Sequence, residues 1–137
     1  MHNKTFAIIK PDAVENGYMG KIIDMIIKNN FNILNARLLK MAESQAQGFY
    51  SVHKERPFFN DLVFFMCSGP CMEIELQKDN AVSSWRDLIG ATDPNEAEEG
   101  TIRKLFAESK EKNSVHGSDS DENALIEINF FFNKWSS

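Results

Sequence analysis

Apolar residues along the chain fall into two periods, and the switch between them sets out the elements. Thr5 to Ile9 is a short unbroken apolar run rich in β-formers and predicts a buried strand, which Lys10-Pro11-Asp12 ends. From Gly17 to Asn30 the period becomes helical, with Ile22, Ile23, Ile26 and Ile27 on one stripe and Lys21, Asp24 and Lys28 off it. Asn29-Asn30 ends this helix, because asparagine tolerates the left-handed conformation. Phe31 to Met41 reads as a second strand. Ser44 is a suitable N-cap for a helix reaching about Lys54, with Phe49, Tyr50 and His53 on a shared face. Pro57 stands where a further helix would begin, and Phe58, Leu62 and Phe65 line one of its sides.

After the turn Ser68-Gly69-Pro70, Cys71 to Lys78 alternates strictly. Met72, Ile74 and Leu76 predict a buried face, and Glu73, Glu75 and Gln77 a wet one. Asn80 is the expected cap of a helix that carries Trp85 inward, turns Arg86 to another face and closes at Gly90. Ala91 to Val115 has little regular pattern beyond a short helix capped by Thr101. A long irregular connection inside a compact domain usually serves function. A short helix from about Ser120 is expected to lead into a final strand, Glu127 to Phe132, and a brief tail, Asn133 to Ser137. The order β-α-β-α-α-β-α-α-β predicts an α+β sandwich of ferredoxin-like type, with a four-stranded antiparallel sheet covered by helices. At 137 residues this is expected to be one domain spanning the chain.

Composition narrows the function. The net charge is −5, which argues against a broad basic face for nucleic acid but not against a nucleotide, whose phosphates need only a few focused cations. No apolar run is long enough to cross a bilayer, and the first residues run straight into the first strand, so neither a membrane span nor a secretory leader is expected. Cys67 and Cys71 lack the partners of a zinc site and read as reduced cytoplasmic thiols.

The segment Asn113-Ser114-Val115-His116-Gly117-Ser118-Asp119 carries the sharpest chemical signal. A neutral imidazole on a stiff turn of small residues could attack a phosphorus atom, although a surface histidine in a polar turn is the commoner meaning of such a stretch. Neither a G-x-x-x-x-G-K-[ST] loop nor a G-x-G-x-x-G loop occurs, so side chains would have to bind any phosphates. Lys10, Arg86 and Arg103 are the candidates, with Thr92 adding a hydroxyl.

Together these stretches resemble the nucleoside diphosphate kinases. The likeness rests on Thr5-Phe6-Ala7-Ile8-Ile9-Lys10-Pro11-Asp12-Ala13-Val14, on Phe49-Tyr50 with His53, and on Arg56-Pro57-Phe58-Phe59. It continues through Met66 with Ser68-Gly69-Pro70, Arg86-Asp87-Leu88-Ile89-Gly90-Ala91-Thr92, Gly100-Thr101-Ile102-Arg103 and the histidine segment itself, covering about residues 4 to 132. The resemblance implies a ferredoxin-like fold and a ping-pong transfer of the γ-phosphate of a nucleoside triphosphate, typically ATP, to nucleoside or deoxynucleoside diphosphates. It implies that His116 is the nucleophile, that Glu127 orients it from the head of the last strand, and that Ser118 bonds this glutamate. Lys10, Tyr50 and Asn113 match residues around the transferring phosphate or the sugar, and Arg86, Thr92, Arg103 and His53 match phosphate binders. Phe58 matches the aromatic on which the base stacks, and Leu62 is expected beside it.

The implied cofactor is Mg²⁺, held by phosphates and water rather than by protein ligands. The implied setting is a cytoplasmic homo-oligomer, tetramer or hexamer, that maintains nucleotide pools, with no nucleic-acid or membrane partner. Lys110 stands where relatives place a small apolar residue facing the base, and its stem could cover the base while its amine reaches solvent. The brief chain beyond Phe132 suggests a short, bacterial-type member. An RNA-binding ferredoxin-like domain fits the acidic charge poorly, and a catalytically dead relative fits poorly with the presence of His116, Lys10, Asn113 and Glu127.

Overall fold

A computed structural model describes residues 3–132 of the chain. Its centre is a four-stranded antiparallel sheet in the order β2-β3-β1-β4. Strand β1 (Lys4–Ile9) lies inside it, between β3 (Cys71–Gln77) and the short edge strand β4 (Val115–Gly117). Strand β2 (Asn32–Leu39) forms the other edge.

Alternation along β1 divides the core in two. Ala7 and Ile9 face a cluster with Ile22, Ile26, Ile74, Leu76, Trp85 and Ile89. Phe6 and Ile8 face the opposite cluster, with Tyr50, Val63, Met66, Ile128 and Phe131. Helices therefore cover both faces. The first cluster receives α2 (Met19–Lys28) and α5 (Ala81–Ile89); the second receives α3 (Glu43–Phe49), α4 (Phe59–Met66) and α7 (Asp121–Phe132).

The antiparallel, helix-covered fold is the one expected, but several elements differ. Glu127 to Phe132 is not a strand; it is the second half of α7. Its aromatic and branched residues favour β-structure locally. Tertiary packing overrides that preference, since Ala124, Ile128 and Phe131 recur at helical spacing and are buried. Phe131 stacks on Phe6 with centroids 5.5 Å apart. Ser120 starts the helix by accepting from the Asn123 amide at 3.1 Å. The fourth strand is instead the stretch around His116, which sequence pattern assigned to a turn.

The supposed wet face of β3 is also covered, because it is the face under the second cluster. Glu73 and Glu75 are fully buried. Asn35 donates to Glu75 at 2.6 Å and Lys4 lies 3.4 Å from it, while Arg37 pairs with Glu73 at 3.4 Å.

Smaller differences lie at helix ends. Pro11 does more than stop β1: it opens a short helix, α1 (Pro11–Glu15). Helix α3 is capped at Ala42, whose amide donates to Gln45 at 2.9 Å, not at Ser44. It stops at Phe49, and a single 3₁₀ turn, Ser51–His53, follows. Pro57 precedes α4 without entering it. Asn80 begins α5 through a left-handed backbone, φ 53°, with no side-chain cap bond. Thr101 caps α6 (Ile102–Phe106) as expected, accepting from the Lys104 amide at 3.3 Å. The tail Asn133 to Ser137 lies outside the described residues.

Candidate active site

The site is built at the β1–β4 edge, where two chain reversals meet. Leaving β1, Lys10 bonds its amide to the Ser114 carbonyl at 2.8 Å, and its ammonium donates to Asn113 Oδ1 at 2.9 Å. Burial, helped by the nearby Arg103 cation and opposed by Asp12, lowers the Lys10 amine to about 8. Ser114 takes a left-handed φ of 73°, an unfavourable conformation for serine. Asp12 holds it there, accepting from the Ser114 amide at 3.0 Å. Burial pushes the Asp12 carboxyl up, while that bond and Lys10 pull it back. Asn113 Nδ2 lies 3.5 Å from the Thr92 carbonyl, a marginal contact.

His116 follows on β4, and its side chain is only 18% exposed. Nε2 lies 2.8 Å from Glu127 Oε1. Ser118 donates to the same oxygen at 2.8 Å and accepts from the Phe6 amide at 3.2 Å. An ionised carboxylate only accepts, so the imidazole proton belongs on Nε2 and the lone pair on Nδ1. The rings of Phe6 and Phe49 flank the imidazole, with centroids 6.1 and 5.4 Å away. Glu127 reaches His116 from α7, not from the expected strand head.

Two cavities border this edge. One, of about 350 Å³, is lined by Phe49, Tyr50, His53, His116, Asp119 and Glu127. Tyr50 is 7% exposed and its hydroxyl has no protein partner. Burial raises its pKa strongly, so it is a phenol here. The other cavity, of about 510 Å³, is lined by Arg86, Gly90, Thr92, Thr101 and Arg103. Gly90 has φ 87°, and a Cβ there would lie 2.6 Å from Thr101 Oγ1, so only glycine fits this corner. Arg103 donates to the Gly90 and Val115 carbonyls, both at 2.9 Å. Burial and the neighbouring Arg86 cation lower its pKa to about 10.

The predicted residues thus gather in two groups. His116, Glu127, Ser118, Tyr50 and His53 meet at the histidine cavity; Arg86, Thr92 and Arg103 meet at the cationic one. Lys10 and Asn113 bridge toward the second through Arg103 and Thr92. Phe58 is half exposed, and its ring centroid lies 5.5 Å from that of His53. Leu62 packs against the second core cluster, and Lys110 is exposed. Sequence pattern did not single out Asp12, Ser114 or Trp85 as parts of the site. The Trp85 indole donates to the His116 carbonyl at 3.0 Å. Among the described residues, no three His, Cys, Asp or Glu side chains stand together as a metal cage.

Comparison with known proteins decides what this geometry belongs to. The family model described as nucleoside diphosphate kinase matches residues 3–136. The chain belongs to the nucleoside diphosphate kinase family. It is 60% identical over 129 residues to the nucleoside diphosphate kinase of Lawsonia intracellularis, covering 94% of each chain. It is 55% identical over 132 residues to that of Trichlorobacter lovleyi, covering 96% of each. The fold is similar to the nucleoside diphosphate kinase of Aquifex aeolicus, with a TM-score of 0.94, 42% identity and 96% of each chain covered. It also resembles the halophilic nucleoside diphosphate kinase of Halobacterium salinarum in complex with CDP. That likeness has a TM-score of 0.92 and 32% identity, and covers 98% of this chain and 90% of the other. The chain is accordingly a nucleotide-binding phosphotransferase, and phosphoryl transfer between nucleotides is its function. Nucleotide kinases generally use a divalent metal. No described helix is long and apolar enough to cross a membrane.

Proposed function

We propose that His116 is the nucleophile of a ping-pong transfer. The observation that carries this reading is the 2.8 Å contact of Nε2 with Glu127, itself held by Ser118, which leaves the Nδ1 lone pair as the reactive one. Nδ1 attacks the γ-phosphorus of a nucleoside triphosphate. The bond from that phosphorus to the bridging oxygen breaks, and the diphosphate leaves with the electron pair. The imidazole then carries the phosphate and a positive charge, which Glu127 balances across the Nε2–H bond. A terminal oxygen of a second nucleoside diphosphate attacks the same phosphorus, and Nδ1 departs with its lone pair restored.

Arg86, Thr92 and Arg103 hold the non-transferring phosphates, with His53 at the phosphate end. Lys10, Tyr50 and Asn113 serve the transferring phosphate and the sugar. Phe58 stacks the base and Leu62 also borders the nucleotide; stacking accepts any base because every base has a π-face. The divalent metal is magnesium, held by phosphate oxygens and water rather than by protein ligands. When bound it would neutralise phosphate charge, and Asp119, which lines the histidine cavity, would be a carboxylate available to its water shell. The enzyme acts as a cytoplasmic homo-oligomer that maintains nucleotide pools.

Initial velocities with Mg-ATP as donor and dTDP as acceptor test the scheme. A covalent intermediate requires parallel double-reciprocal lines. Intersecting lines would mean direct transfer in a ternary complex and would overturn it.

A further inference from the structure

Trp85 is the bulkiest of the fully buried side chains among the described residues, and it is in contact with the His116 segment. A buried indole needs a partner for its N–H, and many find one anywhere in reach. Here the partner is the main-chain carbonyl of His116 itself, at 3.0 Å. The ring also lies flush with the next residue. A Cβ on Gly117 would come within 2.7 Å of Trp85 Cδ1 and 3.0 Å of its Nε1. The glycine after the histidine is thus the space in which the indole reaches the β4 backbone. One residue back along the strand, Arg103 grips the Val115 carbonyl at 2.9 Å. Strand β4 is only three residues long and has β1 as its neighbour in the sheet, so these two side-chain bonds add to the β1 ladder in holding it. Finally, Trp85 precedes Arg86 on α5: one residue clasps the histidine peptide, and the next faces the cationic cavity.

We infer that Trp85 is a positioning residue for phosphoryl transfer, its indole N–H fixing the His116 peptide relative to the phosphate held by Arg86 on the same helix. The inference rests on the reading of His116 as nucleophile. Reaction in line demands that the imidazole and the phosphorus be placed together, and a small displacement of either is costly.

The test replaces Trp85 with benzothienylalanine, which keeps the ring shape and exchanges the N–H for sulfur, beside Trp85→Phe. Single-turnover labelling by Mg-ATP is followed by rapid quench, with the labelled residue mapped, and ADP affinity and melting temperature are measured in parallel. The expected result is label on His116 in the wild type. In the benzothienyl variant, labelling should be about tenfold slower at saturating ATP, with ADP affinity unchanged and the melting temperature lowered by about a few degrees for the lost hydrogen bond. Labelling at the wild-type rate would overturn the inference and leave the nucleophile reading standing. So would a slow rate that tracks weakened ADP binding. Wild-type label on a residue other than His116 would overturn both.

Discussion

Each edge of the sheet has a glutamate held under its helices, and the two are treated in opposite ways. At the β4 edge, Glu127 has two donors on one oxygen, His116 Nε2 and the Ser118 hydroxyl, each at 2.8 Å, and stays 19% exposed. At the β2 edge, Glu73 is fully buried with one cation, Arg37, whose side chain is 47% exposed and 3.4 Å away. One oxygen of Glu73, Oε2, has no partner. Burial, partly offset by Arg37, pushes Glu73 up to about 7. A carboxylate with short, converging donors orients what it touches; one with a single long contact mainly bears the cost of leaving water. The first edge converges on the His116 imidazole and the second closes the fold. Arg37 also reaches the Phe131 carbonyl near the end of α7, so the second edge anchors the helix that supplies Glu127 to the first.

Substitutions separate the edges. His116→Ala should lower steady-state turnover by about 10⁴-fold or more while leaving the melting temperature close to wild type. Glu127→Gln keeps the shape and loses the charge. It should cost about 10- to 100-fold in kcat, with KM little changed, in a coupled assay. Glu73→Gln should leave kcat within a factor of about two; a large loss of kcat would abolish the distinction between the edges.

Away from both carboxylates, Phe58→Ala should raise KM for the nucleoside diphosphate by about tenfold, from lost stacking, with kcat retained. Lys10 adds a pH signature. Its amine is lowered to about 8, so its charge disappears as pH rises through that value. Activity that depends on the cation should fall several-fold on the alkaline side in a pH–rate profile. Stability moves the other way. Between about 8 and the ordinary 10.5 the unfolded chain binds more protons than the native one, so this group makes the fold more stable as pH rises there.

The smallest effect belongs to Glu73 and is one of stability alone. Its native pKa is raised from 4.5 to about 7, so the native state binds more protons than the unfolded one across that window. Stability should fall as pH rises through it, by an amount on the order of 1–3 kcal/mol. Urea unfolding from pH 5 to 8 should show this slope in the wild type and a flatter one in Glu73→Gln.

Much of the first edge was legible in the chain and much of the second was not. Lys10, Asn113, His116 and Ser118 lie in two short segments whose residue types already suggest chemistry, and the structure brings those segments together. Trp85 was legible as a buried residue, but no spacing rule reveals that its N–H would meet a backbone carbonyl 31 positions away. Asp12 was likewise adjacent to Lys10 in sequence, yet its work on the strained Ser114 depends on a contact across 102 positions. On β3, strict alternation predicted a wet face for Glu73 and Glu75. It cannot report that α3, α4 and α7 cover that face, nor that Arg37 and Asn35 from β2 would meet the carboxylates. In α7, aromatic β-formers from Ile128 onward hid a helix whose reason for forming is the Phe6 surface beneath it.

The most direct test of the central claim, that an oriented His116 carries the phosphate, is covalent trapping. Wild-type protein and His116→Ala are incubated with γ-labelled Mg-ATP and freed of excess nucleotide; one portion is quenched in alkali, and a second, still folded, is chased with unlabelled GDP. The account predicts an acid-labile, alkali-stable label on the wild type, none on the variant, and its discharge as labelled GTP. A folded wild-type protein that takes up no label, or a variant that takes up as much, would contradict it.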